Sequence, residues 1–210
     1  MSPPALSLPR IRQALAAHRP SVLATDRPHA AVALLLAEAM PAPEALFIVR
    51  SRHERDPWSG DIGFPGGRVA TDDGDPRRTA ERESAEELAL DLTATDCLGR
   101  LDDLYGATLP ILVSCFVYAT RHKPPVTANH EIAGTFWFPL AALSDPARHR
   151  LATFCWRGAP TTQPVAELLP AGEPLLWGIT YRLLLNFFGI LELSFGLTAP
   201  APPCPSGNPR

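Results

Sequence analysis

The chain has 210 residues, of which 46% are hydrophobic and 20% are charged, and its formal net charge is −3. This length suits one domain with a complete core and modest extensions. The weak negative charge excludes a general electrostatic attraction to nucleic acid or to an anionic membrane, although a small anionic ligand would need only a local positive site. The four cysteines are widely spaced without a CxxC pair, which favours reduced thiols over a zinc site.

The first residues predict a short helical extension. Ser7 and Pro9 are typical of a helix start, and Ile11 and Leu15 would share one face of that helix. We therefore expect residues 1–22 to pack on the outside of the domain. The segment has no basic stretch followed by an apolar core, so no secretory signal is visible and we expect a cytoplasmic protein.

Two buried strands come next and are followed by a loop. The runs from His29 to Glu38 and from Ala45 to Arg50 are nearly continuous hydrophobic segments of strand length. Residues 51–67 include prolines and several glycines, which predicts a loop with at most one very short strand.

One strong helix follows this loop. Asp75 offers a side-chain cap and Pro76 suits the first helical position. The helix should therefore begin here and run to about Leu88 or Ala89.

The second half of the chain predicts strands at 97–104, 111–120 and 135–138, a helical turn at 140–143, and a long helix from 177 to about 194. Residues 149–175 carry mixed signals. The residues from 196 to 210 are so rich in proline, glycine and serine that we expect a disordered tail. The most apolar segment, 183–197, is interrupted by polar residues and is shorter than the ~20 residues of a membrane span. Strands on both sides of one strong helix favour a mixed α/β sandwich over a doubly wound sheet.

Three glutamates lie on one face of the strong helix. Glu83, Glu86 and Glu87 stand at i, i+3 and i+4, where like charges weaken a helix by a few tenths of a kcal/mol per pair. A divalent cation such as Mg²⁺ would offset this repulsion, because it prefers carboxylate oxygens and bridges to substrate phosphates. The alternative is a solvated acidic face that the arginines of the same helix neutralise. The preceding Gly66–Gly67 pair favours the metal site, because it lets main chain approach a ligand closely.

The segment from Gly66 to Leu90 resembles the sequence box of the Nudix hydrolases. That box is Gly, five residues, Glu, seven residues, then Arg-Glu-aliphatic-x-Glu-Glu-x-Gly-aliphatic. This chain supplies the box residues in the same order: Gly67, Asp73, Arg82, Glu83, Glu86, Glu87 and Leu90. It departs at Asp73 in place of Glu, at an eight-residue spacing before Arg82, at Ser84 and at Ala89. The resemblance implies an α+β Nudix fold, with a mixed β-sheet sandwiched between helices, formed by residues 23–195.

The resemblance also implies roles for the matched positions. Glu83 and Glu87 would bind Mg²⁺ or Mn²⁺, and Glu86 would be a third metal ligand or the base that activates water. Arg82 would orient the glutamates through charge-assisted hydrogen bonds. Glu131, outside the box, is the second candidate for the base, with a solvated loop glutamate as the alternative. Asp73, with its shorter side chain, is left open between a structural and a catalytic role.

A second motif, ahead of the box, resembles the coenzyme A-cleaving branch of the family. The branch pattern ends in Arg-Ser, three residues, Arg, three residues, Gly, three residues and Phe-Pro-Gly-Gly. This chain matches it at Arg50, Ser51, Arg55, Gly60, Phe64, Pro65, Gly66 and Gly67, with one residue inserted between Arg55 and Gly60. The arginines suit phosphates, and Trp58 would stack on adenine or line the pantetheine path. Surface arginines and a Trp packed on the domain are the alternatives.

Stretches at 98–103 and 176–180 resemble the same branch. The resemblance therefore implies hydrolysis of coenzyme A to 3′,5′-ADP and 4′-phosphopantetheine, by a monomer or homodimer that binds neither nucleic acid nor membrane. ADP-ribose, dinucleoside polyphosphates and damaged nucleoside triphosphates stay open as substrates, because the box handles only the diphosphate. A non-catalytic nucleotide sensor is a further alternative, although such domains usually lose a box glutamate and this chain keeps all three.

Overall fold

The computed structural model describes residues 6–53, 58–107, 109–156 and 158–196. Arg55, which was expected to bind substrate, lies outside these ranges, as do residues 197–210 of the expected tail. The elements along the chain are α1 (Leu8–Ala17), β1 (His29–Ala37), β2 (Glu44–Arg50), β3 (Ile62–Gly63), β4 (Gly66–Arg68), α2 (Pro76–Leu88), β5 (Asp96–Arg100), β6 (Leu104–Tyr105), β7 (Leu112–Thr120), β8 (Ile132–Pro139), α3 (Leu140–Leu143), β9 (His149–Trp156), β10 (Ala159–Ala166) and α4 (Gly178–Ile190). Short 3₁₀ turns at Thr71–Asp73 and Pro146–Arg148 precede α2 and β9.

Eight strands form one mixed sheet. The order across it is β3–β2–β1–β7–β5, with β4 paired to β1, β6 to β7 and β8 to β2. The central strands β1 and β7 run parallel along their whole lengths, and the other pairs are antiparallel. β9 and β10 form a separate antiparallel hairpin.

Both faces of the sheet are covered by helices. Side chains alternate along a strand, so those of β1 enter a different hydrophobic core on each face. Leu34 and Leu36 belong to a hydrophobic cluster that includes residues of α1 and α4. Leu35, on the other face, packs in a cluster with the buried residues of α2. Ile11 of α1 is fully buried, so the N-terminal helix covers the sheet. The predicted fold, a mixed sheet sandwiched between helices, is confirmed.

Long-range pairing changes several of the predicted boundaries. The strand predicted at 97–104 divides into β5 and β6, with an irregular register between Cys97 and Gly99. β8 begins at Ile132 rather than at 135, because its first residues pair with the end of β2. The loop at 51–67 contains two short strands, β3 and β4, which are held by β2 and β1.

The region at 149–175 that carried mixed signals contains the β9–β10 hairpin. Its strands alternate between exposed and buried residues and include Pro160 and Pro164, so neither strand shows a clear hydrophobic pattern. The last helix ends at Ile190 instead of about 194, because Glu192 adopts a left-handed backbone with φ of 56°. Among the described residues, no helix is long and apolar enough to cross a membrane.

Candidate active site

A pocket of about 600 Å³ opens beside the C-terminal half of α2. Three glutamates of α2, Glu83, Glu86 and Glu87, line one side of it. β3, β4 and the starts of β1 and β7 line its floor. The beginning of α4 and the β9–β10 hairpin complete the wall. Carboxylates therefore share one cavity with a largely apolar cleft between the sheet and α4.

The strong helix begins as the sequence predicts. The Asp75 side chain accepts a hydrogen bond from the Arg77 backbone N–H at 2.6 Å, and Pro76 occupies the first turn. Ser84, at the aliphatic position of the box, is fully buried and donates its hydroxyl to the Ala80 carbonyl at 2.7 Å. This bond satisfies the hydroxyl, which explains how the core accepts a polar residue at this position.

Ala89 ends the helix in a left-handed conformation with φ of 53°, at the position where the box has glycine. This backbone costs an L-residue about 1 kcal/mol more than it costs glycine. We expect Ala89→Gly to raise the free energy of unfolding by about 0.5–1 kcal/mol, measured by urea denaturation. The matched control is Ala85→Gly at an exposed position inside the same helix, which should lower it by about 1 kcal/mol. A loss of stability in Ala89→Gly would contradict the assignment of strain to this residue.

Glu87 is the most buried of the three glutamates, with 2% of its surface exposed. Its carboxylate accepts a hydrogen bond from the Gly66 N–H at 2.9 Å and lies 3.5 Å from Nη1 of Arg50. Burial raises the pKa of Glu87 to about 7, and these two donors only partly compensate. A cation in the pocket would stabilise the ionised form of such a carboxylate.

Glu83 lies one turn earlier and faces the same cavity. Its side chain is 18% exposed and forms an ion pair with Arg82 at 2.8 Å. Gly67 packs so closely against it that a methyl group on Gly67 would collide with its carboxylate. Burial raises the pKa of Glu83, and the nearby charges of Glu86 and Glu131 add to the effect.

The two candidate bases are more exposed. The Glu86 side chain is 56% exposed and pairs with Arg82 at 3.0 Å. Glu131 lines the same pocket from the loop before β8. That loop is held against the end of α2, where the Asn129 N–H donates to the Glu87 carbonyl at 2.8 Å and the Asn129 side chain donates to the Glu86 carbonyl at 3.0 Å. Glu131 is thereby held near the glutamates of the helix.

Asp73 and Arg82 form a support for the acidic face. The Asp73 carboxylate accepts hydrogen bonds from Arg82 at 2.9 and 3.0 Å, from the Thr79 hydroxyl at 2.7 Å and from the Ala70 N–H at 2.9 Å. The Arg82 guanidinium holds the pKa of Asp73 well below its usual range. Because these donors occupy the carboxylate, the geometry favours a structural role for Asp73: it fixes the arginine that contacts Glu83 and Glu86.

The donors at this site suit a hard divalent cation, although they do not form a complete cage. Within the described part of the chain, no three His, Cys, Asp or Glu side chains converge as a metal-ligand set. Glu87 is buried, Glu83 is partly buried, and the charge of Glu83 lies close enough to help raise the pKa of Glu87. Mg²⁺ is typically held by one or two carboxylates, with waters and substrate phosphates as the remaining ligands. The pair fits that requirement.

Most of the residues expected to bind substrate line the pocket: Arg50, Trp58, Phe64, Gly66 and Gly67. Phe64 is 4% exposed and stacks on Phe47 with ring centroids 5.3 Å apart, so it shapes the floor mainly through packing. The Gly66 N–H is already used by Glu87.

The sequence indicated the opposite wall only through the family-like stretch at 176–180, part of which lines the pocket. Trp156 and Gln163 come from the β9–β10 hairpin, and Arg182 comes from α4. Trp177 belongs to the family-like stretch at 176–180. Its indole N–H donates to Asp61 at 2.9 Å, and the ring of Trp156 contacts the ring of Trp177 edge-on. The hairpin carried no readable pattern, so no local signal pointed to Trp156 or Gln163.

The Nudix domain family model matches residues 26–155 of this chain. The mouse protein named mitochondrial coenzyme A diphosphatase NUDT8 is 30% identical over 199 residues, which cover 91% of this chain and 87% of that protein. An uncharacterized protein of Schizosaccharomyces pombe is 33% identical over 112 residues, which cover 50% of this chain and 34% of that protein. This chain therefore spans about a third of the length of the yeast relative.

A solved structure also shares the fold. The crystal structure of a MutT/nudix family protein from Enterococcus faecalis aligns with a TM-score of 0.57 at 14% identity, covering 81% of this chain and 64% of that one. At this identity the similarity concerns the fold alone. The family model matches more than half of the residues, and the mouse relative aligns over most of both chains. The chain therefore belongs to the Nudix hydrolase family.

Proposed function

We propose that this chain hydrolyses the phosphoanhydride bond of coenzyme A or a coenzyme A derivative, in a reaction that depends on Mg²⁺ or Mn²⁺. The products are 3′,5′-ADP and 4′-phosphopantetheine. One observation carries the proposal: a single pocket joins two carboxylates, the buried Glu87 and the partly buried Glu83, to a cleft lined by apolar side chains and tryptophans. A substrate with a diphosphate and a long, mostly uncharged arm fits both parts.

The relatives support coenzyme A over other diphosphates. The mouse protein whose name specifies coenzyme A diphosphatase aligns over nearly the whole of this chain. Residues beyond the matched family segment, including Trp177 and Arg182 of the α4 region, line the pocket. We therefore propose residues 23–195 as the catalytic domain.

The carboxylates would bind the cation. Glu83 and Glu87 would be its ligands, with water and substrate phosphate oxygens completing the set. Glu86 lines the same pocket, but it does not converge with the other two as a third ligand in the described residues. The cation would neutralise the phosphates and acidify the attacking water. Arg82 reduces the repulsion between Glu83 and Glu86 and orients both side chains, while Arg50 stands beside Glu87 at the pocket edge.

A base must then take the proton of the attacking water. Glu86 and Glu131 both line the pocket and are the two candidates. Each side chain is about half exposed, so each can pass the proton on to solvent. The other pocket residues position the substrate: the apolar cleft excludes water from the arm, and the Gly66–Gly67 backbone lets the diphosphate approach α2 closely.

The test is chromatographic product analysis after incubation with Mg²⁺ and, separately, coenzyme A, ADP-ribose, NADH and 8-oxo-dGTP. We expect release of 3′,5′-ADP from coenzyme A, with kcat/KM at least about tenfold above the other compounds. Turnover of another compound without cleavage of coenzyme A would contradict the proposed substrate, while the assignment of a hydrolase activity would stand. Binding without turnover of any compound would favour the nucleotide sensor.

The same assay separates the candidate bases. Glu86→Gln and Glu131→Gln should differ, with the base variant losing about 10²- to 10⁴-fold in kcat. The other variant should lose far less. Equal and small losses in both would exclude each of them as the general base.

A further inference from the structure

Two arginines outside the acidic part of the site, Arg68 and Arg182, line the pocket. Arg68 of β4 pairs with Ala30 of β1, one residue beyond Gly67. Since side chains alternate along a strand and Gly67 packs on Glu83 of α2, the Arg68 side chain belongs to the opposite face of the sheet. That face is covered by α4, and Arg68 lines the pocket there.

Arg182 lines the pocket from the second turn of α4. The register places Arg68 level with Leu104 of β6, across Ala30 and Val113, so an arginine that bonds to Tyr105 lies toward the same end of these strands. Nη1 of Arg182 donates to the Tyr105 carbonyl at 2.6 Å, which fixes the guanidinium beside β6. A carbonyl is neutral, so this bond positions the charge without neutralising it. Among the described residues, neither Arg182 nor Arg68 forms an ion pair.

The balance of charge therefore differs between the two parts of the pocket, although Arg50 stands beside Glu87 in the acidic part. Its glutamates lie at the α2 side, where a bare phosphate would be repelled unless a cation intervened. Around the other two arginines, the pocket lining from the end of β6 to the start of β7 is uncharged, with Gly106, Ala107, Leu109, Ile111 and Val113. This end of the cleft is positive on its own and needs no metal to attract an anion.

We propose that Arg182 and Arg68 form a subsite for a phosphomonoester that the substrate carries in addition to its diphosphate. The inference rests on the proposed function, and it specifies which diphosphates the site selects. An arginine has five N–H donors, so Arg182 keeps several for a phosphate after contacting the Tyr105 carbonyl. A nucleotide with an additional phosphate on its ribose 2′- or 3′-hydroxyl presents such a group, whereas ADP-ribose carries only its diphosphate.

The first test measures binding, so it does not depend on turnover. Adenosine 3′,5′-bisphosphate and adenosine 5′-monophosphate differ by one phosphate and serve as matched probes in calorimetric titrations of the full chain. We expect the wild type to bind the bisphosphate on the order of 10- to 100-fold more tightly, the range for hydrogen bonds to charged groups. Arg182→Met should remove most of this difference, weakening bisphosphate binding far more than monophosphate binding, while Arg182→Lys should keep part of it. Arg19→Met, an exposed position that does not line the pocket, is the charge-matched control and should change neither affinity.

The second test compares kcat/KM for coenzyme A and for dephospho-coenzyme A in the wild type and in Arg182→Met. The subsite predicts a preference for coenzyme A that the variant loses.

Equal binding of both probes by the wild type would overturn the subsite and leave the proposed function standing. Equal losses for both probes in the variant would overturn it as well. Selective bisphosphate binding without coenzyme A cleavage would support the subsite and contradict the proposed function. If Arg182→Met failed to fold, as judged by circular dichroism, the wild-type comparison alone would decide.

Discussion

Glu87→Gln is expected to lower kcat by about 1000-fold or more while making the metal-free protein more stable. Glutamine keeps the size of the side chain and can still accept the Gly66 N–H, but it has no charge with which to hold a divalent cation. Loss of a metal ligand removes several kcal/mol of transition-state stabilisation. A loss of about 4 kcal/mol corresponds to a 1000-fold lower kcat. The assay is release of product from coenzyme A at saturating Mg²⁺.

The stability change should depend on pH. Burial raises the pKa of Glu87 from 4.5 to about 7 in the folded chain. The folded state therefore binds a proton more tightly than the unfolded state, and wild-type stability falls as pH rises from 4.5 to 7. At ~1.36 kcal/mol per pH unit, the ionised Glu87 destabilises the fold by about 3 kcal/mol above pH 7, and Glu87→Gln should recover most of this. Below pH 4.5 the wild type and the variant should unfold alike.

Urea denaturation of both proteins at pH 4, 6 and 8, with chelator present, measures this difference. Glu38→Gln, at an exposed position outside the pocket, is the control and should show no such pH dependence. Added Mg²⁺ should stabilise the wild type and not Glu87→Gln, because binding to the folded state adds to its stability. A variant that keeps a tenth of the activity, or that loses stability at pH 8, would contradict the role of Glu87.

Gly67→Ala is expected to lose about 10²- to 10³-fold in kcat with little loss of stability. The added methyl carbon would stand 2.5 Å from both carboxylate oxygens of Glu83. Contacts this short are not tolerated, but Glu83 is a flexible side chain that can turn away at a cost of about 1 kcal/mol. The fold would survive while the carboxylate left the position that the proposed cation requires.

Two neighbouring substitutions separate this effect from general damage. Gly66→Ala would place its methyl carbon against the Ala31 carbonyl and 2.6 Å from the Val32 Cα, at a φ of 150°. Backbone cannot move aside as a side chain does, so this variant should unfold more easily by about 2 kcal/mol or more. Gly134→Ala, with nothing within 4 Å of the new carbon, should resemble the wild type in activity and stability. Full activity in Gly67→Ala would show that the position of Glu83 does not matter for catalysis.

The acidic helix was predictable because its signals are local. A capping Asp75 followed by Pro76 fixes the first turn, and the spacing of the three glutamates fixes their common face. The box motif added the family, and with it the fold. The chain also shows why two departures from the box are tolerated: Ser84 satisfies its hydroxyl within the helix, and Ala89 accepts a left-handed backbone at a modest cost.

The tertiary structure alone decided how these residues are used. No pattern in the sequence indicated that Glu87 would be buried and Glu86 exposed, or that the hydrogen bonds of Asp73 would hold Arg82. The hairpin residues of the opposite wall were equally hidden, and the family-like stretch at 176–180 did not indicate that Trp177 would bond to Asp61, 116 residues away. Helix caps and residue spacings act within a few residues and can be recognised in the sequence. The burial of a charge and the wall of a pocket depend on which distant segments pack together, and for this chain only the folded sheet and its helices determine that.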